Sequence, residues 1–289
     1  MISRPRGVAE LLAAAILFGF MAYLAKQTNA SLDGAETALV RFVVGAGVFA
    51  TGVALRGRPL RVVRRDLLVL RGLLGGIAVL LFFISIAHLP VGTATLLNYT
   101  APIFTTTFSA IFLAEKVPAG SLAALAMAST GVALVVYGQG RALGGGYVWL
   151  ALGLVSAVTS GAAVTAIRAA RRSDGAWEVF GIFCLAGALC TGPFALHAWK
   201  WPTSTVWLLL VAVGLLAAAG QLLMTHALIA VEASTAGIIS QITVVTAMAL
   251  GHFLDGEPFR EVSLVGAALT VAGVSLVSTG PQKRAMIAR

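Results

Sequence analysis

The feature that most restricts this chain is the recurrence, from end to end, of apolar runs about 20 residues long, the length a helix needs to cross a hydrocarbon core. Ten can be read, near 8–25, 35–55, 67–87, 91–113, 119–137, 147–167, 177–197, 206–228, 234–254 and 262–279. Helices are the expected form, because Ala and Leu dominate the runs and a helix satisfies its own backbone in lipid. Barrel strands would give short alternating segments, and none are present in the sequence. Composition agrees: 59% of the residues are hydrophobic and 11% charged, with a mean hydropathy of +0.95, against roughly 25% charged in a soluble domain. An all-α polytopic membrane protein embedded in a lipid bilayer is expected.

The net charge of +9 raises the question of nucleic acid, and its distribution answers it. With the N-terminus in the cytoplasm, Arg4, Arg6, Arg56, Arg58, Arg61, Arg64, Arg65, Lys116, Arg168, Arg171, Arg172, Lys283, Arg284 and Arg289 are all cytoplasmic. Lys26, Arg141, Lys200 and Arg260 fall outside, and Arg41 and Arg71 fall within spans. Such an excess of Lys and Arg in short cytoplasmic loops sets orientation. It predicts both termini inside and an even number of spans, with no nucleic-acid partner. Arg4 and Arg6 ahead of an apolar run mimic a secretory signal, but the run is long and no small-x-small site follows, so an uncleaved helix is expected. Cys184 and Cys190 lie six residues apart on one run, about 600° around a helix, and are expected to pack apart without a disulfide or metal. There is no P-loop, so ATP is not expected, and no cofactor is. The preference for Arg over Lys suggests a bacterial inner membrane.

Shifting the chain by 142 residues reveals an internal duplication. "LAEKVPAGSLAALAMASTGVALVVYG" falls over "LDGEPFREVSLVGAALTVAGVSLVSTG", up to one residue at the left end. Thr93 meets Thr235, Glu115 meets Glu257, Gly131 meets Gly273, Gly19 meets Gly161 and Lys26 meets Arg168. The expected organisation is a first five-helix repeat over 1–138, a linker over 139–146 (within "GQGRALGGG", 138–146), a second repeat over 147–280 and a cytoplasmic tail over 281–289. Five spans is an odd number, so the second copy enters the membrane inverted. Inverted repeats place a substrate site near the midplane where the halves meet.

These stretches, with "ATLLNYTAPIFTTTFSAIFLAEK" and "STAGIISQITVVTAMALGHFLDGE" as the paired segments before each Glu, resemble the drug/metabolite transporter superfamily, EamA type. Within it the pattern resembles the YddG-like aromatic amino-acid exporter branch, and Arg41 in "ALVRFVVGAG" is similar to an arginine common in that family's second helix. The resemblance implies ten transmembrane helices as two inverted five-helix repeats around a central cavity, and export of amino acids or other small metabolites. One departure stands out: Pro102 in the first copy is Val244 in the second.

Polar residues inside the spans mark the candidate cavity. Thr95, Asn98, Pro102, Thr105 or Thr106, and Ser109 share one face of the fourth run, beside Tyr99. The same face of the second copy is narrow, with Gly237, Ser240, Val244, Ala247 and Gly251. Pro102 is expected to kink the helix and strip the Asn98 carbonyl of its helical partner. Gln221 with Thr225 and His226, Ser240 with Gln241, Thr159 with Ser160, and Tyr23 add further polar groups. Each is read either as cavity lining or as glue between helices, worth about 0.6–2 kcal/mol, with Thr159 and Ser160 assigned to packing. Arg41 is read either as a carboxylate site or as a structural partner of Glu36. Arg71 is expected to snorkel toward the arginine-rich side. Glu115 and Glu257 are expected at helix ends, accepting N–H groups of the helix that follows, with proton carriage the sharper alternative. No acid lies well inside a span, which favours facilitated transport or a proton relay through His88 or His226.

The leading expectation is a secondary transporter that exports amino acids, aromatic ones included, or related small metabolites by alternating access. A broad drug/metabolite exporter, a non-transporting scramblase and an intramembrane enzyme are the alternatives. Against an enzyme, the spans hold no metal-binding His pair, Ser/Lys dyad or paired carboxylate.

Overall fold

A computed structural model describes residues 3–28, 32, 34–56, 60–88, 97–138, 146–197, 199–256 and 260–279. The linker apart from Gly146, the tail over 281–289, Thr95 and Glu257 lie outside the described residues. Regular structure among the described residues is helical: α1 (Arg4–Thr28), α2 (Gly34–Arg56), α3 (Arg65–His88), α4 (Ala101–Leu113), α5 (Ala119–Gly138), α6 (Tyr147–Ala170), α7 (Ala176–His197), α8 (Ser204–Ala227), α9 (Ala233–Ser240), α10 (Ile242–Asp255) and α11 (Glu261–Thr279). Eight segments are long and apolar enough to cross a membrane, with α9 and α10 together forming one of them. Shorter apolar helices over Ala101–Leu113 and Glu261–Leu276 complete the ten.

The 142-residue shift carries α1 onto α6, α2 onto α7, α3 onto α8, α4 onto α10 and α5 onto α11. Packing obeys the same exchange. Helix α3 lies against α6 as α8 lies against α1; α3 lies against α7 as α8 lies against α2; α4 lies against α6 as α10 lies against α1. The pairs α2–α7 and α5–α11 exchange with themselves and so straddle the pseudo-two-fold axis. This is the two-repeat membrane fold with inverted halves.

The repeated glycines sit where backbones come closest. A Cβ on Gly19 would fall 2.5 Å from Thr246 Cβ, and one on Gly161 would fall 2.7 Å from Phe104 Cβ, the equivalent position in the other half. At the α5–α11 crossing a Cβ on Gly131 would meet the Gly266 carbonyl at 2.5 Å, and one on Gly273 the Ala124 carbonyl at 2.7 Å. Lipid gives little hydrophobic drive between spans, so close packing at small residues is what holds them. The shared helix end before the glutamates is also matched: Ala114 (φ 51°) closes α4 and Gly256 (φ 68°) closes α10, both left-handed.

Pro102 does not kink a continuous helix. It occupies the first turn of α4, where its missing N–H costs no helical bond. The break lies just ahead, in a tight turn in which Thr100 N–H donates to the Leu97 carbonyl (3.0 Å) and Ile103 N–H to the Thr100 carbonyl (2.9 Å). The second half makes the same turn without a proline: Gln241 N–H donates to Ile238 (3.2 Å) and Val244 N–H to Gln241 (3.1 Å). The halves are therefore more alike at their centres than Pro102 and Val244 suggest. Gly237 gives the two broken segments room to meet, since a Cβ there would lie 3.3 Å from Pro102 Cα.

One end of the bundle is solid. Leu11, Leu68, Ile167, Val179, Leu228, Ile238 and Ile239, drawn from both halves, form the main buried cluster near the start of α1 and the ends of α6 and α8. The cavity begins one turn further on.

Candidate functional site

A cavity of about 430 Å³ lies between the halves. Its inner end can be followed helix by helix, because four wall residues sit about one turn from core residues of the plug: Arg71 beyond Leu68, Val164 before Ile167, Phe183 beyond Val179, Met224 before Leu228. From there the wall runs toward Tyr23 and Lys26 on α1 and Gly251 on α10.

Seven of the sequence candidates line it: Asn98, Tyr99, Gln221, Ser240, Tyr23, Arg41 and Pro102. The two tight turns deliver three of these, Asn98 and Tyr99 from one half and Ser240 from the other. The Tyr99 hydroxyl lies beside Thr243, also in the wall. Gln221 donates to Thr225 Oγ1 at 3.2 Å, and Ser240 donates to the Gly237 carbonyl at 2.6 Å. Ser160, read from sequence as packing, is a wall residue.

Two candidates point elsewhere. His226 contacts Glu10 at 2.8 Å and lies off the cavity, because one step round α8 from Thr225 turns it toward α1. Gln241 is fully buried behind the wall and donates to Ser129 Oγ at 3.1 Å, pinning the tight turn of the second half to α5.

The arginines change the picture most. Arg71 does not snorkel: it is 3% exposed, faces the cavity and lies 3.9 Å over the Phe183 ring. Its guanidinium occupies the space one turn along α3 where Gly75 has no side chain, since a Cβ there would sit 1.7 Å from Arg71 Nη1. Arg71 Nε and Nη1 have no hydrogen-bond partner among the described residues. Arg41 does not pair with Glu36 either. Glu36 is buried and accepts the Lys200 N–H, whereas Arg41 lies near the Phe42 ring and close enough to Arg71 for their charges to repel. An arginine at the centre of a membrane helix costs about 2.5–3.5 kcal/mol before any repulsion. Composition concealed Arg71's position; the glycine one turn later was the available signal.

Each end of the bundle carries an ion pair, and the basic members, Arg168 and Lys26, are equivalent under the 142-residue shift. At the plugged end Arg168 Nε donates to Glu115 at 2.9 Å, and Arg168 Nη1 donates to the Leu228 carbonyl at 2.6 Å. Glu115 also accepts the Ala233 N–H at 3.1 Å. It thus serves the N-terminus of α9 and not that of α5, the helix that follows it, because the end of α4 meets the α8–α9 turn across the interface. At the other end Lys26, the counterpart of Arg168, lies 3.6 Å from Asp255, which also accepts Tyr23 Oη (2.7 Å) and Gln27 Nε2 (3.3 Å).

The chain matches the family model described as "EamA-like transporter family" twice, over residues 5–137 and 147–279. It is 28% identical over 272 residues to the pseudopaline exporter CntI of Pseudomonas aeruginosa, covering 94% of this chain and 93% of that one. It is 31% identical over 207 residues to a probable terminal-alkyne amino-acid exporter of Streptantibioticus cattleyicolor, covering 66% and 65%. A solved crystal structure superposes with a TM-score of 0.79 at 20% identity, over 93% of this chain and 95% of that one, a likeness of fold. With two matched repeats spanning nearly its whole length, this multi-pass membrane protein belongs to the EamA-like transporter family.

Proposed function

We propose that the protein is a secondary transporter that exports amino acids or related small metabolites across a bacterial inner membrane by alternating access. The observation that carries this reading is the pair of matched helix breaks, at 97–100 and 238–241, facing one cavity between inverted halves. Broken membrane helices expose backbone and polar side chains at mid-depth, where substrate can use them. Two relatives carry exporter in their names, one of them for an amino acid. With both termini cytoplasmic, as the basic loops favour, the cavity opens outward and the plug around Leu11 and Leu228 is the closed inner side.

Exchange of the halves' conformations would move that plug to the outer end. The ion pairs at the two ends, Arg168–Glu115 and Lys26–Asp255, supply a latch for each state. The units that exchange are residues 1–138 and 147–280, with the linker over 139–146 between them. The polar and aromatic wall serves binding, and the matched family and exporter-named relatives favour a transporter over an enzyme. Purified protein in proteoliposomes tests it. Labelled amino acids or metabolites should leave wild-type vesicles saturably, with Asn98→Ala and Gln221→Ala slowed. A wild type no faster than empty vesicles across such a panel refutes the proposal.

A further inference from the structure

The cavity wall contains three cations, Lys26, Arg41 and Arg71, and no carboxylate among its described residues. Lys26 has Asp255 as partner. Arg71 and Arg41 have no ion pair among the described residues, although Arg71 is almost wholly buried. Two guanidiniums held on neighbouring helices in a membrane bundle, repelling one another without a counter-charge, form an arrangement that only an anion completes.

Their geometry says more. Phe183 lies 3.9 Å from the Arg71 Cζ, and Arg71 Nε and Nη1 are buried without a hydrogen-bond partner among the described residues. A guanidinium held without a counter-charge is satisfied best by a carboxylate, through charge-assisted hydrogen bonds. Arg41 comes from α2 and Arg71 from α3, and the Cys184 side chain lies near both.

We propose that the cavity is built for a substrate bearing two carboxylates, one received by Arg71 and the other by Arg41. Asn98 and Gln221 then remain for the substrate's amino or amide groups. This rests on the transport reading and narrows it to dianionic metabolites.

The test uses full-length protein, purified in detergent for binding and reconstituted for transport, with L-glutamate, L-glutamine, glutarate and inorganic phosphate as probes. Glutamate and glutamine differ by one carboxylate at nearly constant shape. Glutamate and glutarate are expected to bind roughly tenfold or more tightly than glutamine, the scale of a charge-assisted hydrogen bond. Arg71→Gln should bring glutamate binding down to the wild-type glutamine level, and Arg71→Lys should restore part of the difference. If Arg71→Gln does not fold, Arg41→Gln and the wild-type comparison carry the same decision. Equal binding of glutamate and glutamine, binding of phosphate alone, or no binding of either dicarboxylate at millimolar concentration overturns the proposal. A wild type that transports neutral metabolites without preferring dianions overturns it and leaves the transport reading standing. A wild type that transports nothing removes both.

Discussion

Removing Glu115 should weaken this protein more than removal of any exposed acid, and its partner's absence should halve the effect. Glu115 ties three elements: the end of α4, the end of α6 through Arg168, and the first turn of α9 through the Ala233 N–H. The side chains of the pair are only 18% (Arg168) and 8% (Glu115) exposed, so solvent screens them weakly. Two charge-assisted hydrogen bonds at about 1.5 kcal/mol each, taken at the low end for partial exposure, give a loss of about 3 kcal/mol for Glu115→Ala. In an Arg168→Ala background only the bond to Ala233 and its helix-end field remain, so the same change should cost about 1.5 kcal/mol. The coupling energy is then about 1.5 kcal/mol. Reversible denaturant unfolding of the two single variants, the double variant and wild type in one detergent measures it. Additivity within about 0.5 kcal/mol would refute the reasoning, because it would mean the two side chains do not act on each other.

Gly161→Val should destabilise by about 2 kcal/mol or more, since its Cβ would meet Phe104 Cβ at 2.7 Å and the Thr105 backbone nitrogen at 2.8 Å. Gly47→Ala, whose Cβ meets nothing within 4 Å, should be neutral or stabilising in the same denaturant assay. Ala114→Gly should raise stability by about 1 kcal/mol, because Ala114 holds a left-handed φ of 51° that glycine adopts freely. Gln241→Met should leave the transport KM unchanged, since Gln241 lies behind the wall; a KM shift as large as that of Gln221→Ala would contradict its placement.

Much of this architecture is legible in the sequence because two signals there are strong. Hydropathy fixes spans through length alone, and a duplicated sequence keeps the residues that make the closest contacts, which is why Gly19, Gly161, Gly131 and Gly273 matched before any packing was known. The basic match, Lys26 with Arg168, marks the two positions at which the structure places an ion pair, with Asp255 and Glu115 as the acids. What could not be read is what depends on the partner across the interface. The turn at Gln241 has no proline or glycine to announce it; the bond to Ser129 on α5 accompanies it. Arg71 stands seven residues into α3, within reach of the membrane surface by length, and only Gly75 and the Phe183 ring direct it inward. His226 sits one step round α8 from the Gln221–Thr225 face, and Glu10 on α1 holds it away from the cavity. Periodicity gives a face; the neighbour decides whether that face meets a cavity.

The most direct test is the accessibility of a cavity position from each side of the membrane. In a background with Cys184 and Cys190 replaced by Ala, Ser160→Cys places a single thiol in the wall. Membrane-impermeant maleimide is then applied to right-side-out and to inside-out vesicles. Alternation between the inverted halves predicts labelling from both sides, with a saturating substrate changing the two rates in opposite directions. Labelling from one side only, under every substrate condition, would contradict it.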